Sequence, residues 1–180
     1  MQFDCMIQNG IVVDGSGRRP PFRADIAVQD DRIVALGALD GAQASAVIDA
    51  QNHVISPGFI DVHVHSEIAL LGRSEGDTKD EDQLAGARQG VTTNLLSPDG
   101  FGWAGLPPNS AREMWAYTQF IYGNADLALD WPHVQDYLAL FDGCTPINVC
   151  PQIPHGAVRL QAMGWKTRLA NDEELAAMAH

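Results

Sequence analysis

Two rhythms of apolar and polar positions divide the chain. Over residues 1–57, short apolar runs alternate with turn residues. Cys5-Met6-Ile7 and Ile11-Val12-Val13 flank Asn9-Gly10, which predicts a hairpin because both turn residues tolerate positive φ. Ala24 to Gln29 alternates small or apolar with polar side chains. Asp30-Asp31 then turns the chain into Arg32-Ile33-Val34-Ala35-Leu36, which ends at Gly37. Val47-Ile48 and His53-Val54-Ile55 read as two further strands, so this segment is expected to form a small β-sandwich or meander.

After Pro57-Gly58 the period changes. Phe59 to His65 reads as a strand, and Ser74 to Asp82 as a polar, acidic stretch. Gln83 to Arg88 reads as a short helix stopped by Gly90, and Val91 to Leu96 as a second strand. A loop rich in Gly and Pro, Ser97 to Pro108, leads to helices over Ala111 to Ile121 and Val134 to Phe141. Ile147 to Ile153 closes the series as a third strand. Alternating strands and helices point to βαβ units and a parallel sheet. Asn171 and Glu174 have capping-box spacing for a last helix, whose apolar face starts at Leu175 and Met178. That helix reaches little beyond two turns before His180, so the sequence is expected to be part of a longer chain.

Charge narrows the function classes. The 180 residues carry a formal charge of −12, with 23 acidic and 11 basic side chains. Such a field repels nucleic acid and anionic membrane surfaces, so neither is an expected partner. No apolar run approaches the roughly 20 residues of a membrane span, and the first ten residues lack a secretory signal. Cys5, Cys144 and Cys150 lack metal or redox spacing and fit a reducing cytoplasm.

The candidate chemistry sits in Pro57-Gly58-Phe59-Ile60-Asp61-Val62-His63-Val64-His65. On an extended strand, Asp61, His63 and His65 share one face, and Ile60, Val62 and Val64 take the other. Two imidazoles at i and i+2 can share one metal ion, with Asp61 orienting the site or holding a ring N–H.

The whole run, with Val47-Ile48-Asp49-Ala50 upstream, resembles the signature of the amidohydrolase superfamily, in which the His-x-His pair ends the first barrel strand. Asp14-Gly15-Ser16-Gly17, Ala24-Asp25-Ile26-Ala27-Val28 and Arg32-Ile33 resemble that family's N-terminal sandwich, and Gln89-Gly90-Val91-Thr92-Thr93 its second barrel strand. Asn148-Val149, Pro154-His155-Gly156-Ala157-Val158-Arg159, Met163-Gly164 and Glu174-Leu175-Ala176-Ala177-Met178 resemble the D-aminoacylase branch rather than dihydroorotases or hydantoinases.

The resemblance implies an α/β architecture. A β-sandwich domain over residues 1–57 would precede about three βα units of an incomplete TIM barrel over residues 58–180. It also implies hydrolysis of a linear C–N amide in a small N-acyl amino acid, with a divalent metal, zinc foremost, activating water and polarising the carbonyl. His63 and His65 would hold the metal. D-aminoacylases carry a zinc-binding cysteine where this sequence has Asp99, which leaves Asp99 either a ligand or a turn residue in Pro98-Asp99-Gly100.

His155 reads as a substrate or supporting contact or as a structural histidine, and Arg159 as a carboxylate partner or a helix-packing residue. Trp103 reads as a pocket lining or a loop anchor. The general-base aspartate and the remaining histidines of such a site would lie beyond residue 180. A (β/α)8 barrel takes about 250 residues, so the chain alone is expected to be inactive and poorly stable. Two alternatives remain: a non-catalytic scaffold of the same fold, and a hydrolase of cyclic amides.

Overall fold

The computed structural model describes residues 2–71 and 83–179, which fall into two compact units, Met1–Pro57 and Gly58–His180. The acidic stretch read over residues 74–82 lies outside the described residues.

The first unit contains β1 (Gln2–Val12), β2 (Phe22–Gln29), β3 (Arg32–Gly37), β4 (Gln43–Asp49) and β5 (Val54–Ile55). They form one sheet in the order β3-β2-β1-β4, with β5 also on β1. β2 pairs antiparallel with β1 and β3, while β4 and β5 run parallel to β1. Within this unit no second sheet faces it among the described residues. Its core is small: Val12, Ala24 and Ile26, backed by Ile7, Phe22, Val28 and Ile55. Such a sheet leaves Val47, Ile48 and Val54 more than half exposed.

The hairpin expected at Asn9-Gly10 does not form. Asn9 takes φ 64° inside β1, and the register against β2 slips between Ile7 and Gly10. The residues that favour a turn instead build a bulge, because tertiary partners hold the strand straight on both sides. β1 pairs with β4 as far as Gln8 and with β5 from Ile11. At the handover the Asn9 N–H donates to Asp25 Oδ1 (3.0 Å) and its amide Nδ2 to Asp49 Oδ1 (2.9 Å). Gly10 is required by close approach, since a Cβ there would collide with the Ile55 side chain.

The second unit carries a parallel sheet, β6-β7-β8, formed by Phe59–Asp61, Val91–Leu96 and Asn148–Pro151. Around it lie α1 (Glu67–Leu70), α2 (Pro108–Tyr122), α3 (Val134–Leu138), α4 (His155–Met163) and α5 (Asp172–Met178). α2 starts on Pro108, whose fixed φ suits the first helical turn, and buries Ala111, Met114, Trp115, Thr118 and Tyr122. That spacing forms one stripe. The stripe packs into a core with Trp103, Leu106, Trp131, Tyr137 and Leu96. Because the three strands are parallel, their carboxyl ends open on one side of the sheet, and the segments after them meet there.

Several elements are shorter than their patterns predict. The strand read over Phe59 to His65 ends at Asp61, because Asp61 Oδ1 accepts the His63 N–H (3.1 Å) and turns the chain off the sheet. The helix read over Gln83 to Arg88 includes a 3-10 turn at Ala87–Gln89, closed by Gly90 at φ 84°. Among the described residues, no helix is long and apolar enough to cross a membrane.

α5 forms with the capping box its sequence predicts. Asn171 Oδ1 accepts the Glu174 N–H (2.8 Å), and Glu174 Oε2 accepts the Asn171 N–H (3.0 Å). Arg168 grips the same carboxylate through both terminal nitrogens (2.6 and 2.7 Å). Arg168, with the Asn171 N–H, holds Glu174 down at about 2 against the usual 4.5. A depressed carboxyl stabilises the fold above its unfolded pKa and loses that contribution as protons are added. Hydrogen-exchange protection of α5 is therefore expected to fall as pH drops from about 4.5 toward about 2. In Glu174→Gln this pH dependence should vanish. An identical profile in the variant would refute the assignment.

Candidate metal centre

His63 and His65 lie on the irregular segment between β6 and α1, not on the strand itself. Their rings nevertheless converge, with centroids 5.8 Å apart and planes at 85°. The third member comes from the carboxyl end of β7. There Ser97 (φ 60°) and Asp99 (φ 59°) take left-handed backbone conformations, and Pro98–Gly100 forms a tight 3-10 turn. Asp tolerates this region better than most residues because its short side chain finds local polar partners. The turn aims Asp99 Oδ2 at both histidines, 3.2 Å from His63 Nε2 and 3.2 Å from His65 Nε2.

One potential ligand atom from each of His63, His65 and Asp99 thus falls within 4.8 Å of the other two. Two imidazole nitrogens and a carboxylate oxygen on one point suit a divalent cation such as zinc. The two sequence readings of Asp99 are not exclusive: it is a turn residue, and the turn delivers it to the histidines.

Asp61 orients the pair differently from the expectation of a held ring N–H. It anchors the His63 backbone, through the turn described above. His155 opens α4 and is exposed, with no hydrogen bond to its ring among the described residues. It lines a pocket of about 420 Å³ beside Asp99, together with Phe101, Tyr117, Arg159 and Trp165. The helix approaches because Gly156 lacks a side chain; a Cβ there would strike the Gly100 carbonyl. Arg159 Nη2 donates to the carbonyls of Lys166 (2.9 Å) and Arg168 (2.7 Å), which ties down the chain after α4. Trp103 is buried edge-on against Trp115 and Tyr122, so it anchors its loop and does not line a pocket mouth.

Two residues at the site, Glu67 and Tyr122, escape sequence reasoning. Glu67, fully buried at the start of α1, accepts the Ser97 N–H (2.8 Å) and the Tyr122 hydroxyl (3.3 Å) on Oε1. The hydroxyl of Tyr122 also meets His65 Nδ1 at 2.9 Å. Burial pushes the Glu67 carboxyl above the usual carboxylate range, and burial together with the nearby Glu67 charge raises the Tyr122 phenol. In the sequence, Glu67 is one acid among many just after the His-x-His pair, and nothing links it to a tyrosine 55 residues away.

No family model matches the chain. Curated relatives do. Over 98% of its length the chain is 32% identical to a D-aminoacylase of Alcaligenes xylosoxydans xylosoxydans, of which it covers 34%. It is 34% identical, again over 98% of its length, to an N-acyl-D-aspartate deacylase of the same organism, of which it covers 33%. Among solved structures, an N-acyl-D-glutamate deacylase of Bordetella bronchiseptica, complexed with zinc and a phosphonate mimic of the tetrahedral intermediate, matches 99% of the chain. The TM-score is 0.75 at 29% identity, over 35% of that protein. The chain therefore spans about a third of the length of the relatives it matches. Over nearly all its residues, in sequence and in backbone, its homologues are thus D-aminoacylases and N-acyl-D-amino-acid deacylases, with structural neighbours in the amidohydrolase superfamily.

Proposed function

We propose that this chain supplies the opening portion of a metal-dependent hydrolase that cleaves the linear amide of N-acyl-D-amino acids. The observation that carries this reading is the meeting of His63, His65 and Asp99 beyond the carboxyl ends of two adjacent parallel strands. Barrel enzymes keep their chemistry on that side. A divalent metal held there, zinc foremost, would lower the pKa of water and polarise the amide carbonyl. His63 and His65 present nitrogens and Asp99 a negative charge to the cation. Asp61 holds the His63 backbone, and the pocket beside Asp99 offers His155 to the substrate.

On this reading residues 1–57 are part of a β-sandwich and residues 58–180 the first three βα units of a (β/α)8 barrel. Further segments, as in relatives about three times as long, would cover what is bare here. Val47, Ile48 and Val54 are exposed in the first unit, and Phe59, Ile60 and Val62 in the second. Among the described residues, the sheet edges at β6 and β8 are open. The proton-shuttling carboxylate and the other ligands would come from those segments, so the 180 residues alone should bind zinc without turning over substrate.

Titration with zinc, followed by assay on N-acetyl-D- and N-acetyl-L-amino acids, tests both halves. Stoichiometric zinc with no hydrolysis is expected of the 180-residue chain, and D-selective, chelator-sensitive hydrolysis of a chain extended to the relatives' length. Turnover by the short chain would overturn the incompleteness. Absence of turnover in the long one, with zinc bound, would favour a scaffold, and preference for a cyclic amide would favour a hydrolase of that class.

A further inference from the structure

Glu67 belongs to neither the metal ligands nor the pocket, yet it is bonded toward both arms of the site. Its Oε1 receives the Ser97 N–H at 2.8 Å and the Ser97 hydroxyl at 3.4 Å, two residues before Asp99. The same oxygen receives the Tyr122 hydroxyl at 3.3 Å, and that hydroxyl sits 2.9 Å from His65 Nδ1. Its other oxygen, Oε2, is buried without a hydrogen-bond partner among the described residues. A carboxylate buried this deeply is costly unless its contacts perform a task.

We propose that Glu67 is a positioning residue that acts through Tyr122 to fix the tautomer of His65 and through Ser97 to fix the turn that presents Asp99. The proton order follows from the donors. Oε1 already accepts an N–H, so it is an acceptor whether or not Oε2 carries a proton. A phenol has one hydrogen, and Tyr122 gives it to Oε1. Its oxygen must then accept from His65, which places the ring hydrogen on Nδ1 and leaves the Nε2 lone pair for a cation; without the cation, Asp99 Oδ2 at 3.2 Å competes by accepting an Nε2–H. Metal-binding histidines commonly have their remote nitrogen held by a hydrogen bond in this way. Here the holding group is a tyrosine, itself oriented by a buried acid that also pins the neighbouring turn. One side chain thereby sets the spacing of two of the three ligands, which rests on the metal-centre reading above.

Nitrogen NMR of histidine-labelled protein, metal-free and above the imidazole pKa, tests the tautomer without any metal. His65 is assigned by its loss in His65→Gln. In an Asp99→Ala background, which removes the competing acceptor at Nε2, His65 should show the Nδ1–H form, the reverse of the ordinary preference of free imidazole, and adding Tyr122→Phe should revert it to Nε2–H. Zinc affinity should fall about 10–100-fold in Tyr122→Phe, the usual cost of losing an orienting partner. Glu67→Gln, which keeps an oxygen for Ser97 and Tyr122, should retain more affinity than Glu67→Ala. A His65 tautomer unchanged by Tyr122→Phe in that background, or found there as Nε2–H with Tyr122 present, would overturn the proposal. His63→Ala separates the two readings. If it binds zinc as tightly as wild type, the metal centre is wrong. If it loses zinc while Tyr122→Phe does not, only the positioning role fails.

Discussion

Asp99→Ala is expected to lose zinc affinity by more than the roughly 10–100-fold that follows removal of an orienting partner. The two imidazoles contribute lone pairs but no charge, so the carboxylate is the only anion among the three converging groups. Without it, the cation would have to be desolvated against two neutral ligands. The substitution also places alanine at φ 59°, a region unfavourable to a residue with a Cβ and no polar side chain. Asp99→Asn separates these effects. It tolerates the same backbone and keeps an oxygen but lacks the charge, so it should fall between wild type and alanine. Asp99→Cys introduces the ligand that the resemblance to D-aminoacylases leads one to expect here. A thiolate is softer, so it should hold zinc while rejecting magnesium and manganese more strongly than wild type. Competition with a chromophoric chelator reads all three variants. Equal zinc affinity in wild type and Asp99→Ala would remove Asp99 from the ligands and leave it a turn residue.

Trp103→Ala is expected to destabilise the second unit by about 3–5 kcal/mol, the range for deleting a large buried aromatic side chain. The ring is 2% exposed and packs edge-on against Trp115 and Tyr122, at centroid distances of 5.0 and 4.8 Å. Its removal would open a cavity under the loop that follows the Asp99 turn. The same cavity would free Tyr122, so zinc affinity should decline with stability. Trp103→Phe should cost much less. It retains most of the apolar contact and removes an indole N–H that is buried without a partner among the described residues, where its desolvation is uncompensated. Urea unfolding followed by far-ultraviolet circular dichroism measures both variants. A loss below about 1 kcal/mol for alanine, the middle of the range for ordinary substitutions, would show that the loop is held by other contacts.

Much of the local structure was legible from residue order. Val91–Leu96 is a strand as read, because a run of β-branched and apolar residues bounded by Gly90 and Ser97 has one good solution beside another strand. α5 begins where Asn171 and Glu174 place it, since a capping box is closed entirely by neighbours in sequence. The His-x-His pair was legible for the same reason: two imidazoles two residues apart mark a candidate site without reference to anything distant.

Tertiary contacts decided the rest. Asn9-Gly10 has turn chemistry, but strands on both sides of β1 made it a bulge. The convergence of His63 with His65 does not come from strand alternation, which ends at Asp61. It comes from the turn that Asp61 closes and from Asp99, 34 residues from His65, arriving on the turn after the neighbouring strand. Glu67 and Tyr122 carry no mark in the sequence at all. Short-range signals report what a residue prefers when only its neighbours compete. A metal site is assembled from groups far apart in the chain, and their meeting depends on which strands pair and which helix faces pack.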